Sequence, residues 1–81
     1  MNILRYPNGE DVRLGDIIDI GEGNGPRVRV VIISYLGQAA EGFDIHDWPT
    51  LDGILCQDVK SGGLLELSEI DPNEDSLVQR A

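Results

Sequence analysis

Cations, cysteine and aromatic residues are all scarce in this chain. Six Lys and Arg stand against fifteen Asp and Glu, leaving a formal charge of −9. No basic stripe exists to follow a phosphate backbone, so nucleic acid and anionic membrane are not expected partners. A single Cys cannot close an internal disulfide, and without a cysteine framework a reducing compartment is the expected setting. No apolar run approaches the ~20 residues of a membrane-spanning helix. The opening residues Met1 to Tyr6 hold no long apolar stretch of the kind found in secretory leaders. A cytoplasmic protein follows as the expectation. Long helices are excluded as well, because ten Gly and four Pro interrupt the 81 residues before three clean helical turns can form.

Short extended segments between turns remain. Ile3–Tyr6 reads as a strand, Pro7-Asn8-Gly9 as a turn, and Ile17–Ile20 as a second strand after Gly15-Asp16. Arg27 to Tyr35 is the clearest strand, with Arg27 and Arg29 alternating with Val28 and Val30. From Val31 to Ile33 the alternation stops, so that end should be central or covered on two sides. A connection from Leu36 to Thr50 holds His46 and Trp48. Gly53–Gln57 and Leu64–Leu67 read as strands joined through Ser61-Gly62-Gly63. The tail from about 68 to 81 is acidic, with Glu74–Gln79 as a turn of helix or a last edge strand. A single domain over 1–81 is expected. Its class is mainly all-β: a small SH3-like or Greek-key, partly open barrel of about five to six short antiparallel strands. A chain this short buries only roughly 60–65% of its unfolded surface, which leaves little with which to wall off a deep active site.

The recognisable chemical patterns are incomplete. Gly21-Glu22-Gly23-Asn24-Gly25-Pro26 has the spacing of a phosphate cradle, but Glu22 repels phosphate, Pro26 removes a donor and a strand follows where a helix is needed. It reads as a turn. Asp44, His46 and Asp47 fall short of a zinc ligand set, and Asp71, Glu74 and Asp75 lack the ligand ladder of a calcium loop. Ser34 has no nucleophile elbow around it, and Cys56 follows Ile54-Leu55 as a small buried hydrophobe. The expectation is therefore a non-enzyme without cofactor or metal. Arg27 and Arg29 read as partners for the domain's own carboxylates. Trp48 caps the core or, if exposed, anchors a partner.

The carboxylates are distributed unevenly. Residues 1–38 carry five of them against four arginines, a balance of −1, while the remainder carries ten against Lys60 and Arg80, a balance of −8. Solubility accounts for a moderate excess. Concentration in one part of the chain points instead to a docking surface for a basic partner.

Several stretches taken together resemble a known family. They are Tyr6-Pro7-Asn8-Gly9, Val12-Arg13-Leu14-Gly15-Asp16, the Gly-rich turn leading into the valine/isoleucine strand, Trp48 followed by Gly53-Ile54-Leu55, Gly63-Leu64-Leu65, and Ile70-Asp71-Pro72 with Glu74-Asp75 and Leu77. The chain resembles the immunity proteins of bacterial polymorphic-toxin and type VI secretion systems. The resemblance implies a cytoplasmic inhibitor that covers the active surface of a cognate secreted toxin. A toxin acting on nucleic acid or nucleotides would offer a cationic groove to an acidic inhibitor. The candidate contacts are Asp44, Asp47, Asp52 and Asp58 around the Trp48 loop, Trp48 itself, and Glu66 and Glu69 on the following strand. The competing expectation is an SH3-like adaptor or regulatory module that binds a peptide or an enzyme subunit, which an exposed aromatic groove would favour.

Overall fold

The computed structural model describes residues 3–80. Met1, Asn2 and Ala81, the ends of the expected 1–81 domain, lie outside the described residues. Six strands form one antiparallel sheet: β1 (Ile17–Asp19), β2 (Arg27–Ile33), β3 (Gln38–Ala39), β4 (Ile54–Asp58), β5 (Leu64–Leu67) and β6 (Ser76–Gln79). Their order is β5-β4-β2-β1-β6, with β3 joining the far end of β2. The sheet is open along this path, yet Leu65 and Leu67 from one edge and Leu77 from the other pack against the same core. The sheet therefore curls into the small, partly open all-β barrel expected. A Cα radius of gyration of 11.6 Å is close to what ~2.2·N^0.38 Å gives for a single folded body of this length.

The long strand β2 organises the molecule. Val28, Val30 and Ile33 face inward against Ile18, Ile54, Cys56, Leu4, Tyr6 and Val12. Opposite β4 the register slips between Val30 and Ile32, so Val31 is an extra residue on β2. This β-bulge explains the unbroken Val-Val-Ile-Ile run. Val31 and Ile32 join a second cluster with Leu51 and Leu55, covered by Phe43, Ile45 and Trp48. The end of β2 is thus buried on both faces, as the loss of alternation requires.

Three local differences from expectation have clear causes. Ile3–Tyr6 forms no full strand. A tight turn returns the chain at once, leaving the single bridge Arg5–Asp11 with Leu4 and Tyr6 in the core. β2 stops at Ile33 because Ser34–Leu36 coils into a 3₁₀ turn, pinned where the Ser34 hydroxyl donates to Gly53 O at 2.7 Å. The acidic segment after Ser68 is no free tail: β6 pairs with β1, and Ile70 and Leu77 reach the core.

Candidate partner-binding face

Residues 40–51 cross the outer face of β2 and β4, and their apolar side chains turn inward. Asp44 begins this segment's 3₁₀ turn (Ile45–Asp47) by accepting the His46 backbone N–H at 2.9 Å. The His46 ring Nδ1 lies 3.0 Å from the same carboxylate oxygen. The backbone N–H first, and then the ring, hold the Asp44 carboxyl below the ordinary range. The turn closes at Trp48, whose N–H donates to Ile45 O, and Trp48 O in turn accepts Leu51 N–H. Trp48 is half-buried on the Leu51–Leu55 cluster, so it serves the core while part of its ring faces solvent.

Asp47 and Asp52 flank this apolar cover and are exposed. β5 adds Glu66 to the same side, because Glu66 pairs directly with Leu55, a member of the covered cluster. Gly53 brings the end of β5 close. A Cβ there would lie 2.2 Å from Leu67 O and 3.0 Å from Ser68 Cα, so only glycine fits. Asp52 and Glu69 sit just either side of this contact. Among the described residues, Asp47, Asp52, Glu66 and Glu69 form no ion pair, and Asp44 has only His46.

Asp58 does not belong with the others. It ends β4, roughly 20 Å along the chain direction from Asp52 at about 3.3 Å per residue. Its carboxylate accepts the Lys60 and Ser61 N–H groups at 2.8 and 2.9 Å, shaping the hairpin turn and drawing its pKa down. A turn-forming Asp and a docking Asp look alike in sequence.

The remaining motifs are accounted for within the fold. Gly21, Gly23 and Gly25 do form an anion cradle, and its occupant is the chain's own Asp19. All three N–H groups donate to Asp19 Oδ1, at 2.9, 3.1 and 3.3 Å. Those donors, Gly21 foremost, hold the buried Asp19 carboxyl well below its usual range. Ser34 Oγ is committed to Gly53, accepting its N–H at 3.1 Å as well as donating to its carbonyl. Burial, with a smaller push from Asp75, drives the Cys56 thiol up to about 12, where the nucleophilic thiolate is absent at neutral pH. Among the described residues no group of three or more His, Cys, Asp and Glu side chains is placed to hold a metal ion.

Arg27 and Arg29 depart from expectation. Neither comes within ion-pair distance of a described carboxylate, although the Arg27 charge helps to lower the Asp19 pKa through space. Asp19 lies directly across from Arg27, but its carboxylate turns into the glycine loop. Arg5 pairs with Asp11 at 2.8 Å, and Arg80 binds Asp16 Oδ2 at 3.1 Å, Asp11 O at 2.9 Å and the Glu10 carboxylate. Only the fold reveals the Arg80 contacts, since its partners lie 64 to 70 residues away in sequence.

Comparison with known proteins finds no matching family model, no similar curated protein and no similar solved structure. Among the described residues no helix is long and apolar enough to cross a membrane.

Proposed function

We propose that this chain is an immunity-type inhibitor that binds a cognate secreted bacterial toxin in the cytoplasm and covers its active surface. The observation that carries the reading is the face around Trp48. There Asp44, Asp47 and Asp52 flank a half-buried aromatic along the chain, Glu66 lies on the same side of the sheet, and Glu69 follows the close contact at Gly53. Among the described residues these carboxylates have no ion pair other than Asp44 with His46. A basic toxin groove, such as that of a nuclease or a nucleotide-targeting enzyme, complements this face. Opposite charge steers the encounter, raising the on-rate above the neutral ~10⁵–10⁶ M⁻¹s⁻¹. Close charge pairs formed on docking each couple by roughly 1.5–7 kcal/mol. Trp48 supplies the apolar centre that such a charged rim needs. Asp58 is left out of this contact set because its carboxylate serves the hairpin.

An adaptor that reads peptides through an aromatic groove finds less support. The two surface depressions described below contain no aromatic side chain. Co-expression with the product of the adjacent gene is the decisive experiment. Growth rescue supports immunity, and continued toxicity overturns it. Stopped-flow association at rising ionic strength then tests the mechanism: a steep fall in on-rate supports steering, and a flat profile removes the acidic face from it.

A further inference from the structure

A second surface of opposite character lies on the outer face, away from the Trp48 cover. Ile17, Arg29, Gln57 and Leu64 form one continuous cross-strand row through β1, β2, β4 and β5, because each is the direct register partner of the next. Arg27 stands two residues from Arg29 on the same side of β2. Two adjacent depressions, of about 600 and 270 Å³, meet here and share Arg27 and Val59. The larger also contains Pro26, Lys60 and the carboxylate Asp58, the smaller Ile17 and Val78. Val59 and Val78 are 54% and 41% exposed.

This arrangement is unexpected in so acidic a chain. Four of its six cations form no ion pair with a described carboxylate: Arg13, Arg27, Arg29 and Lys60. Three of those four line the two depressions. The nearest carboxylates direct their oxygens elsewhere, Asp19 to the glycine loop and Asp58 to the hairpin turn, and offset Arg27 and Lys60 only through space. Two planar guanidinium groups with open donor edges, beside exposed valines, match carboxylates carried near an aliphatic side chain.

We propose that this groove binds an extended acidic peptide segment of a partner protein, through Arg27 and Arg29. The spacing sets the motif. Same-side residues on a strand repeat every two positions, about 6.5–7 Å apart. Carboxylates at positions i and i+2 of an extended segment meet Arg29 and Arg27. An aliphatic residue at i+4 then passes beyond Arg27 into the larger depression, over Pro26 and beside Val59, whose N–H donates to Arg27 O at 2.9 Å. A polyphosphate strand fits less well, since the net charge of −9 repels it along its whole length while the groove offers only a short cationic stretch.

The test is a ¹H–¹⁵N chemical-shift titration of the full chain with a capped Glu-Ser-Glu-Ser-Val peptide. Lys-Ser-Lys-Ser-Val and a short oligothymidylate serve as comparison probes. Saturable shifts at Ile17, Val59 and Val78 with the acidic peptide alone support the proposal. The double substitution R27Q/R29Q then weakens binding at least tenfold, whereas R13Q, which removes an unpaired arginine elsewhere, leaves it unchanged. All three arginines are exposed, so folding survives and is checked in the same spectra. No saturable shift, equal binding of the lysine peptide, or unchanged binding by R27Q/R29Q overturns it. So does tighter binding of the oligonucleotide, or concentration-dependent shifts of these residues without any peptide, which would assign the groove to nucleic acid or to a second copy. The Trp48 face takes no part in this measurement, so failure here leaves the toxin reading standing, and the reverse holds as well.

Discussion

The Tyr6 hydroxyl donates to Asp16 Oδ2 at 2.6 Å, with the Asp16 side chain wholly inaccessible to solvent. This contact joins the first turn of the chain to the start of β1. The Arg13 N–H and Arg80 Nη1 reach the same oxygen at 2.9 and 3.1 Å, and the Arg80 guanidinium lies 5.7 Å from the centre of the Tyr6 ring. Burial of a charged carboxylate is tolerable only with such a set of donors. The phenol proton is held firmly. Burial first, and then the bond to Asp16, push the Tyr6 pKa far above its ordinary value.

Y6F removes one donor from this oxygen and leaves the ring in place. The expected loss is about 1.5–3 kcal/mol, the range for a hydrogen bond to a charged group. Urea denaturation measures it. R80A is destabilising in the same assay, since it strips Asp16 of its cation and unfastens the end of β6 from Glu10 and Asp11 O. An R80A protein as stable as wild type would show that the residues following β6 are not tied down by this network.

Asp19 gives the fold a defined acid sensitivity. Its folded pKa lies below the ordinary 3.8 because three glycine N–H groups stabilise the carboxylate. The unfolded chain therefore takes up the proton first as pH falls. The contribution is complete above the ordinary value and is lost as pH drops through the folded one. Wild-type stability should decline as pH falls from above the ordinary 3.8 through the lower folded value. D19N should be less stable at neutral pH and should decline less over that interval. Asp44 and Asp58 are shifted in the same direction, so part of the slope persists in D19N. Thermal melts across the interval provide the comparison.

The same loop predicts a difference between two glycine substitutions. A Cβ on Gly25 would lie 2.2 Å from Gly21 Cα, backbone against backbone, with no flexible side chain to give way. G25A should cost about 2–4 kcal/mol and release the Asp19 carboxylate. Gly23 has open space around it and a φ of +89°, so G23A meets only the left-handed backbone penalty of about 1–2 kcal/mol. Equal effects in urea denaturation would mean that the loop does not close as tightly as the Gly21–Gly25 contact indicates.

Legibility in the sequence followed the range of the interaction. Alternation in Arg27–Val30 and its loss at Val31–Ile33 reported both faces of β2, because burial acts residue by residue along a strand. The bulge behind that loss depends on what β4 places opposite, so it could not be read locally. The glycine loop was legible as a turn, but its cradle was not, since the occupant is a carboxylate on the preceding strand. The acidic candidates divided for a similar reason. Glu66 joins the Trp48 side through its register with Leu55, while Asp58 leaves it through its turn hydrogen bonds. The unpaired Arg27 and Arg29 were the least legible, because a charge balance counts residues and is blind to which carboxylates are already engaged.

Trp48 provides a direct probe of the field on the proposed toxin-binding face, without any toxin. It is the only Trp, it is half-buried, and Asp47 and Asp52 near it are exposed and unpaired. The surrounding charge should repel an anionic quencher and gather a cationic one. Iodide should therefore quench Trp48 fluorescence less than neutral acrylamide predicts from its accessibility, and caesium more. Added salt should bring the two ions together, since the Debye length shortens from roughly 30 Å at 0.01 M to about 3 Å at 1 M. In D47N/D52N the iodide–caesium difference should shrink at low salt, while acrylamide quenching stays the same because the packing on Leu51 and Leu55 is untouched. Equal quenching by the two ions in the wild-type protein at low salt would mean that the carboxylates set no local field at the aromatic, and steering toward Trp48 would lose its physical basis.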